Sequence, residues 1–153
     1  MVARIIPVPA FDLVVFGGTG DLSRRKLIPA LYRRMRDGQA PGDARIFAAA
    51  RSDVDDDGFR ALAREALEAH VPEVERPAED MERFLSMLFY VHVDAMGEDG
   101  WATLAERLGP PGDRVRAFYL SVAPSLFGPI AARLASAGLA GHECRIVVEK
   151  PLG

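Results

Sequence analysis

The stretch best equipped for chemistry is Phe16-Gly17-Gly18-Thr19-Gly20-Asp21-Leu22-Ser23-Arg24. Glycines let a backbone turn tightly and approach a ligand closely. The N–H groups of such a turn, and the positive end of a helix after it, both favour an anion, so the expected chemistry is phosphate binding. The spacing Gly17-x-x-Gly20-x-x-Ser23 is a relative of the G-x-G-x-x-G dinucleotide fingerprint rather than a match to it. A tight strand-to-helix turn without a ligand is the plain alternative. A P-loop is excluded, because no Gly-Lys-Ser/Thr tripeptide follows these glycines.

Two further positions bear on the same ligand. Dinucleotide folds that prefer NAD usually place an acid at the end of the second strand, for the ribose hydroxyl, whereas a 2′-phosphate calls for a cation. Here the segment is Ala50-Arg51-Ser52. Arg51 offers a planar fork for phosphate and Ser52 a hydroxyl, which favours NADP. Near the end of the chain, Glu149-Lys150-Pro151 follows an apolar run, and Lys150 is placed to orient a phosphorylated or hydroxylated substrate. His70, His92 and His142 are scattered and read as surface or structural histidines. No metal site is read, and Cys144 is expected to be an inert thiol.

The elements that must position these residues alternate between strand and helix. Phe11 to Phe16 reads as a strand buried on both faces. Leu22 to Arg36 is helical, with Leu22, Leu27, Ile28, Leu31, Tyr32 and Met35 on one face. Pro29 interrupts it, so a kink is expected, or a regular helix beginning near Ile28. Gly38 is a candidate C-cap. Ala44 to Ala50 is the second strand, and the acids Asp53, Asp55, Asp56 and Asp57 read as a solvated cap for a helix bearing Phe59, Leu62, Ala63, Ala66 and Leu67. Pro72 to Pro77 reads as a loop, Asp80 to Leu88 as a short helix, Phe89 to Val93 as strand three and Asp99 to Leu108 as a helix. Val115 to Val122 is strand four, a helix starts at Pro124-Ser125 and stops at Gly138, and Arg145 to Val148 is strand five. Tyr119 and Trp101 read as core. The fold class is α/β, a doubly wound, Rossmann-like parallel sheet of about five strands with helices on both faces.

Composition sets the wider bounds. The 153 residues suit one domain. A formal net charge of −3 gives no general pull toward nucleic acid or an anionic membrane. One cysteine allows no internal disulfide, which fits a reducing cytoplasm, and no segment has the roughly 20 apolar residues of a membrane span.

The run Phe16 to Tyr32, then Ala50-Arg51-Ser52, Phe118-Tyr-Leu-Ser-Val-Ala-Pro124 and Val148-Glu-Lys-Pro-Leu-Gly153, resembles glucose-6-phosphate 1-dehydrogenase. The resemblance implies an oxidoreductase that oxidises C1 of glucose 6-phosphate to 6-phosphogluconolactone and passes hydride to NADP, at the entry of the pentose phosphate pathway. It also implies roles. Gly17, Gly18, Thr19, Gly20, Asp21 and Leu22, with Ser23 and Arg24 beside them, hold the pyrophosphate; Arg51 takes the 2′-phosphate; Asp94 falls on the adenosine side. Lys150 touches substrate and the nicotinamide end, and Pro151 shapes that corner. Gly18-Thr19 stands where Ala-Ser is commoner, Ala123-Pro124 replaces a Pro-Pro pair, and Phe127 stands where a tyrosine is frequent. Family members are homo-oligomers and continue through a β+α domain with the catalytic histidine base, so this chain reads as the cofactor domain alone, incomplete at its C-terminal end and with no catalytic residue of its own. A stand-alone NADP-binding sensor is the second reading. A short-chain reductase is a third, and lacks its Tyr-x-x-x-Lys pair here.

Overall fold

The computed structural model describes residues 11–37, 44–109, 115–139 and 144–148. Gly38, Pro41-Gly42, His142 and the Glu149-Lys150-Pro151 segment lie outside them. Five strands, β1 (Phe11–Phe16), β2 (Arg45–Ala50), β3 (Leu88–His92), β4 (Val115–Leu120) and β5 (Cys144–Val148), form one parallel sheet in the order β3-β2-β1-β4-β5. The central strand β1 sends Leu13 and Val15 to one face and Val14 and Phe16 to the other. Both sets are buried, which is why its sequence is an unbroken apolar run rather than an alternating one.

Helices α1 (Ile28–Arg36), α2 (Asp56–His70) and α3 (Ala78–Ser86) cover the Leu13/Val15 face, through Tyr32, Met35, Phe59, Leu67 and Phe84. Helices α4 (Trp101–Leu108) and α5 (Phe127–Ser136) cover the other face, through Trp101, Leu104, Ile130 and Leu134. Trp101 is core as expected, whereas Tyr119 is half-buried and packs against the α1 face.

The proline in the first helix has the second of its two expected effects. Ser23–Leu27 is wound as a π-helical turn, with the Ile28 N–H donating to the Ser23 carbonyl, and the regular helix begins at Ile28 with Pro29 in its first turn. Proline lacks the N–H that would extend this ladder by one bond, and its ring disfavours the regular spacing to the Arg25 carbonyl, so the ladder is interrupted there. The α5 stop is also as expected: Gly138 at φ +71° lets its N–H reach Ala135 and the Leu139 N–H reach Leu134.

Several boundaries shift for local reasons. β3 begins at Leu88 rather than Phe89 and ends at His92. The third helix spans Ala78–Ser86 because Pro77 in extended conformation starts it. α4 starts at Trp101 because Gly100 sits at φ +89°, and β4 ends at Leu120. Glu73–Glu75 forms a 3₁₀ turn inside the expected loop, and another, Pro124–Leu126, precedes α5.

The acidic cluster before α2 is more than a solvated cap. Asp55 is the cap, accepting from the Gly58 N–H at 2.7 Å. Asp56 instead turns to the edge strand β3, where it accepts from the Tyr90 N–H at 2.7 Å and pairs with Arg107 at 3.0 Å. Arg107 in turn donates to the Tyr90 carbonyl at 2.6 Å, and Arg60 donates to the Leu88 carbonyl at 3.0 Å. Side chains thus take up the outward backbone groups of β3, a protection against edge pairing. Burial opposes the charged form of Asp56, but Arg107, the Tyr90 N–H and Arg60 outweigh it and hold the carboxyl below the usual range. A depressed carboxyl stabilises the fold above its unfolded pKa, and that contribution is lost as pH falls through the folded value. Asp56→Asn should therefore lower the thermal midpoint at neutral pH, with the gap to wild type closing below about pH 4; midpoints measured from pH 7 to 3 check this.

At the amino end of β1, Asp12 is 1% exposed and holds Arg45 through two bonds of 2.8 and 2.7 Å. Arg45 also donates to the carbonyls of Arg107 and Leu108 at the end of α4. Asp12→Ala strands this cation, and because Arg45 keeps some solvent contact the loss should be about 3 kcal/mol. Urea unfolding of the variant measures it.

Candidate functional site

From β1 the chain winds to β2 and β3 on one side and to β4 and β5 on the other. The carboxyl ends of β1 and β4 therefore flank the point where the winding reverses, the place where open α/β sheets leave a crevice. The glycine turn sits there. Gly17 has φ +80°, and a Cβ on it would lie 2.1 Å from the Ser121 carbonyl oxygen. Its N–H donates to the Ala49 carbonyl at 2.8 Å and its own carbonyl accepts from Gly20 at 2.9 Å. A Cβ on Gly18 would meet the Ala48 Cβ at 2.6 Å. These two glycines are required by the close approach of the turn to β2 and β4, whatever it binds. Among the described residues the N–H groups of Gly18 and Thr19 have no acceptor. They lie in the turn before the first helix, Gly18 buried and Thr19 half-buried, where unengaged N–H groups favour an anion.

The other turn residues divide. Ser23 is only 1% exposed, so it faces inward rather than toward the crevice. Asp21 is exposed and pairs with Arg25 at 2.8 Å, while Arg24 is exposed and Leu22 half-buried. Thr19 reaches across to the end of β2, its Oγ1 lying 2.8 Å from Ser52 Oγ.

That hydrogen bond ties the glycine turn to the segment carrying Arg51. Arg51 is exposed, and among the described residues no hydrogen bond or ion pair engages it. Between the turn and Arg51 lies a groove of about 290 Å³, whose walls include Gly17, Ala50, Arg51, Asp94, Met96 and Val122. Asp94 shapes its far side: Oδ1 accepts from the Met96 N–H at 3.0 Å, and its carbonyl accepts from the Trp101 indole at 3.0 Å. Gly17, Arg51 and Asp94 are thus brought onto one groove, as expected, while Lys150 lies outside the described residues. His70 and His92 are exposed and neither lines the groove. No group of three or more His, Cys, Asp or Glu able to hold a metal occurs among the described residues.

Tyr90 is the participant that sequence reasoning passed over. It is 4% exposed, and its phenol donates to the Ser52 carbonyl at 2.6 Å and the Ala50 carbonyl at 2.9 Å. Burial raises its pKa, so it remains a donor through the neutral range. A signal existed, since a tyrosine inside an apolar strand needs a partner for its hydroxyl.

Free backbone donors in the turn before a helix, an unengaged guanidinium and a largely apolar groove between them fit a nucleotide with phosphates at both positions. Comparison with known proteins points the same way. The profile of the glucose-6-phosphate dehydrogenase NAD-binding domain matches residues 14–153. The chain belongs to this family. Among curated relatives, glucose-6-phosphate 1-dehydrogenase of Rhizobium meliloti (strain 1021) is 46% identical over the whole chain. Among solved structures, that of glucose-6-phosphate 1-dehydrogenase from Mycobacterium avium superposes with a TM-score of 0.83 at 36% identity over 95% of the chain. A glucose-6-phosphate dehydrogenase in complex with its substrate glucose 6-phosphate gives 0.80 at 26% identity over 98%. The chain spans 31%, 30% and 32% of these three family members. The family's Rossmann-like parallel sheet is the fold seen here. No helix among the described residues is long and apolar enough to cross a membrane.

Proposed function

We propose that residues 1–153 are the NADP-binding domain of an oxidoreductase that oxidises glucose 6-phosphate at C1 to 6-phosphogluconolactone. The observation that carries the choice of cofactor is Arg51, exposed at the groove with no protein partner among the described residues and set where NAD-preferring folds place an acid. The residues from Gly17 to Leu22, with Arg24, hold the pyrophosphate, chiefly through the free N–H groups of Gly18 and Thr19. Ser23 contributes by packing beneath the helix start. Arg51 takes the 2′-phosphate, Asp94 borders the adenosine, and Lys150 serves the nicotinamide end and the substrate. The bound cofactor supplies a hydride acceptor. The whole protein would act as a cytoplasmic homo-oligomer, in keeping with the resemblance.

Oxidation at C1 also needs a base for the hydroxyl proton. Among the described residues no histidine lines the groove, and the resemblance implies a histidine base in the family's β+α domain, so the purified chain should bind NADP yet show no measurable turnover of glucose 6-phosphate. Substituting the chain for the matching segment of the R. meliloti relative should give an enzyme that reduces NADP with glucose 6-phosphate. A chimera that folds and binds NADP but does not turn over would favour a sensor instead.

A further inference from the structure

Two carbonyls flank Arg51 in sequence, those of Ala50 and Ser52, and both accept from the same buried phenol of Tyr90. Ala50 is the last residue of β2, and beyond it the chain leaves the sheet. The register places Tyr90 beside Ala48, two residues upstream of that exit, so its ring passes beneath the segment it grips. The ring packs on Phe59 with centroids 6.1 Å apart, and the backbone of Tyr90 is itself held by Asp56 and Arg107. On the other side of Arg51, Ser52 is tied to Thr19 of the glycine turn. Arg51 has no bond of its own among the described residues to fix where its side chain starts. Its placement rests on the backbone around it.

We propose that Tyr90 is a positioning residue for cofactor choice: by holding the carbonyls on both sides of Arg51, its phenol sets the guanidinium where a 2′-phosphate is read. This rests on the assignment of Arg51 to the 2′-phosphate. Tyr90 touches no cofactor. It narrows the backbone conformations open to residues 50–52, so the entropy of ordering the Arg51 fork is met on folding rather than on binding. NAD lacks the 2′-phosphate and draws nothing from that ordering, so the phenol should bear on the ratio of the two affinities rather than on binding at large.

The test is a double-mutant cycle on the 153-residue chain, titrated calorimetrically with NADP and with NAD. Tyr90→Phe keeps the ring on Phe59 and removes only the donor; near-ultraviolet circular dichroism checks its packing, and titrations are run well below its own thermal midpoint. It should weaken NADP binding by about three- to tenfold, the range for one well-placed hydrogen bond, and leave NAD binding unchanged. In an Arg51→Ala background the same change should no longer alter the ratio of NADP to NAD affinity. Equal weakening of both cofactors by Tyr90→Phe would mark a merely structural tyrosine and overturn the proposal, as would an unchanged ratio or an effect that persists without Arg51. If Arg51→Ala alone leaves NADP affinity intact, the failure lies in the 2′-phosphate assignment itself, and the proposal falls with it.

Discussion

Replacing Arg51 with alanine is expected to weaken NADP binding by about 10- to 100-fold while leaving NAD binding largely unchanged. The size follows from hydrogen bonds between a guanidinium and phosphate, each worth about 1.5–3 kcal/mol when a charge is involved. The selectivity follows from geometry: Arg51 is exposed at the edge of the groove, so removing it opens no cavity in the core. Arg51→Lys should recover only part of the loss, since an ammonium carries the charge but not the planar fork. Parallel titrations of the three proteins with both cofactors measure these effects, and unaltered thermal midpoints would show that the fold is not their source.

The second large effect is expected at Gly17. A side chain there must adopt φ +80°, and its Cβ must sit 2.1 Å from the Ser121 carbonyl oxygen. The left-handed backbone alone costs of order 1–3 kcal/mol, and the obstructing atom belongs to the backbone, which cannot swing aside as a flexible side chain would. Gly17→Ala should therefore lose about 3 kcal/mol or more in urea unfolding, and NADP binding should be abolished as the turn is driven away from β4. Gly109 separates strain from collision. It has φ +70° and ψ −172° with nothing near its missing Cβ, so Gly109→Ala should cost about 1–3 kcal/mol from backbone strain alone and leave NADP affinity unaltered.

How much of this was legible in the sequence depends on how far apart the interacting residues lie. The glycine turn, the start of the regular helix near Pro29 and the Gly138 stop are written in residues a few positions apart, and the strand–helix alternation fixed the sheet class. Arg51 was legible because its distance from the turn is set by one strand–helix–strand unit. Tyr90 was not. Its bonds to Ala50 and Ser52 span 40 and 38 residues, and they exist only because β3 pairs with β2 in the observed register. Asp56 was misjudged for the same reason. Asp55 caps its helix through a residue three positions on, whereas Asp56 serves Tyr90 and Arg107, 34 and 51 residues away. Ser23 shows the limit of spacing in another way, since it occupies the third position of the motif but is buried where the π-helical turn begins.

The central claim is that the groove between the glycine turn and Arg51 holds NADP. Isothermal titration of the purified 153-residue chain with NADP and, separately, with NAD tests it most directly. NADP should bind with one site per chain and with an affinity about tenfold or more above that for NAD. Equal affinities, or no binding of either dinucleotide by the folded chain, would contradict it.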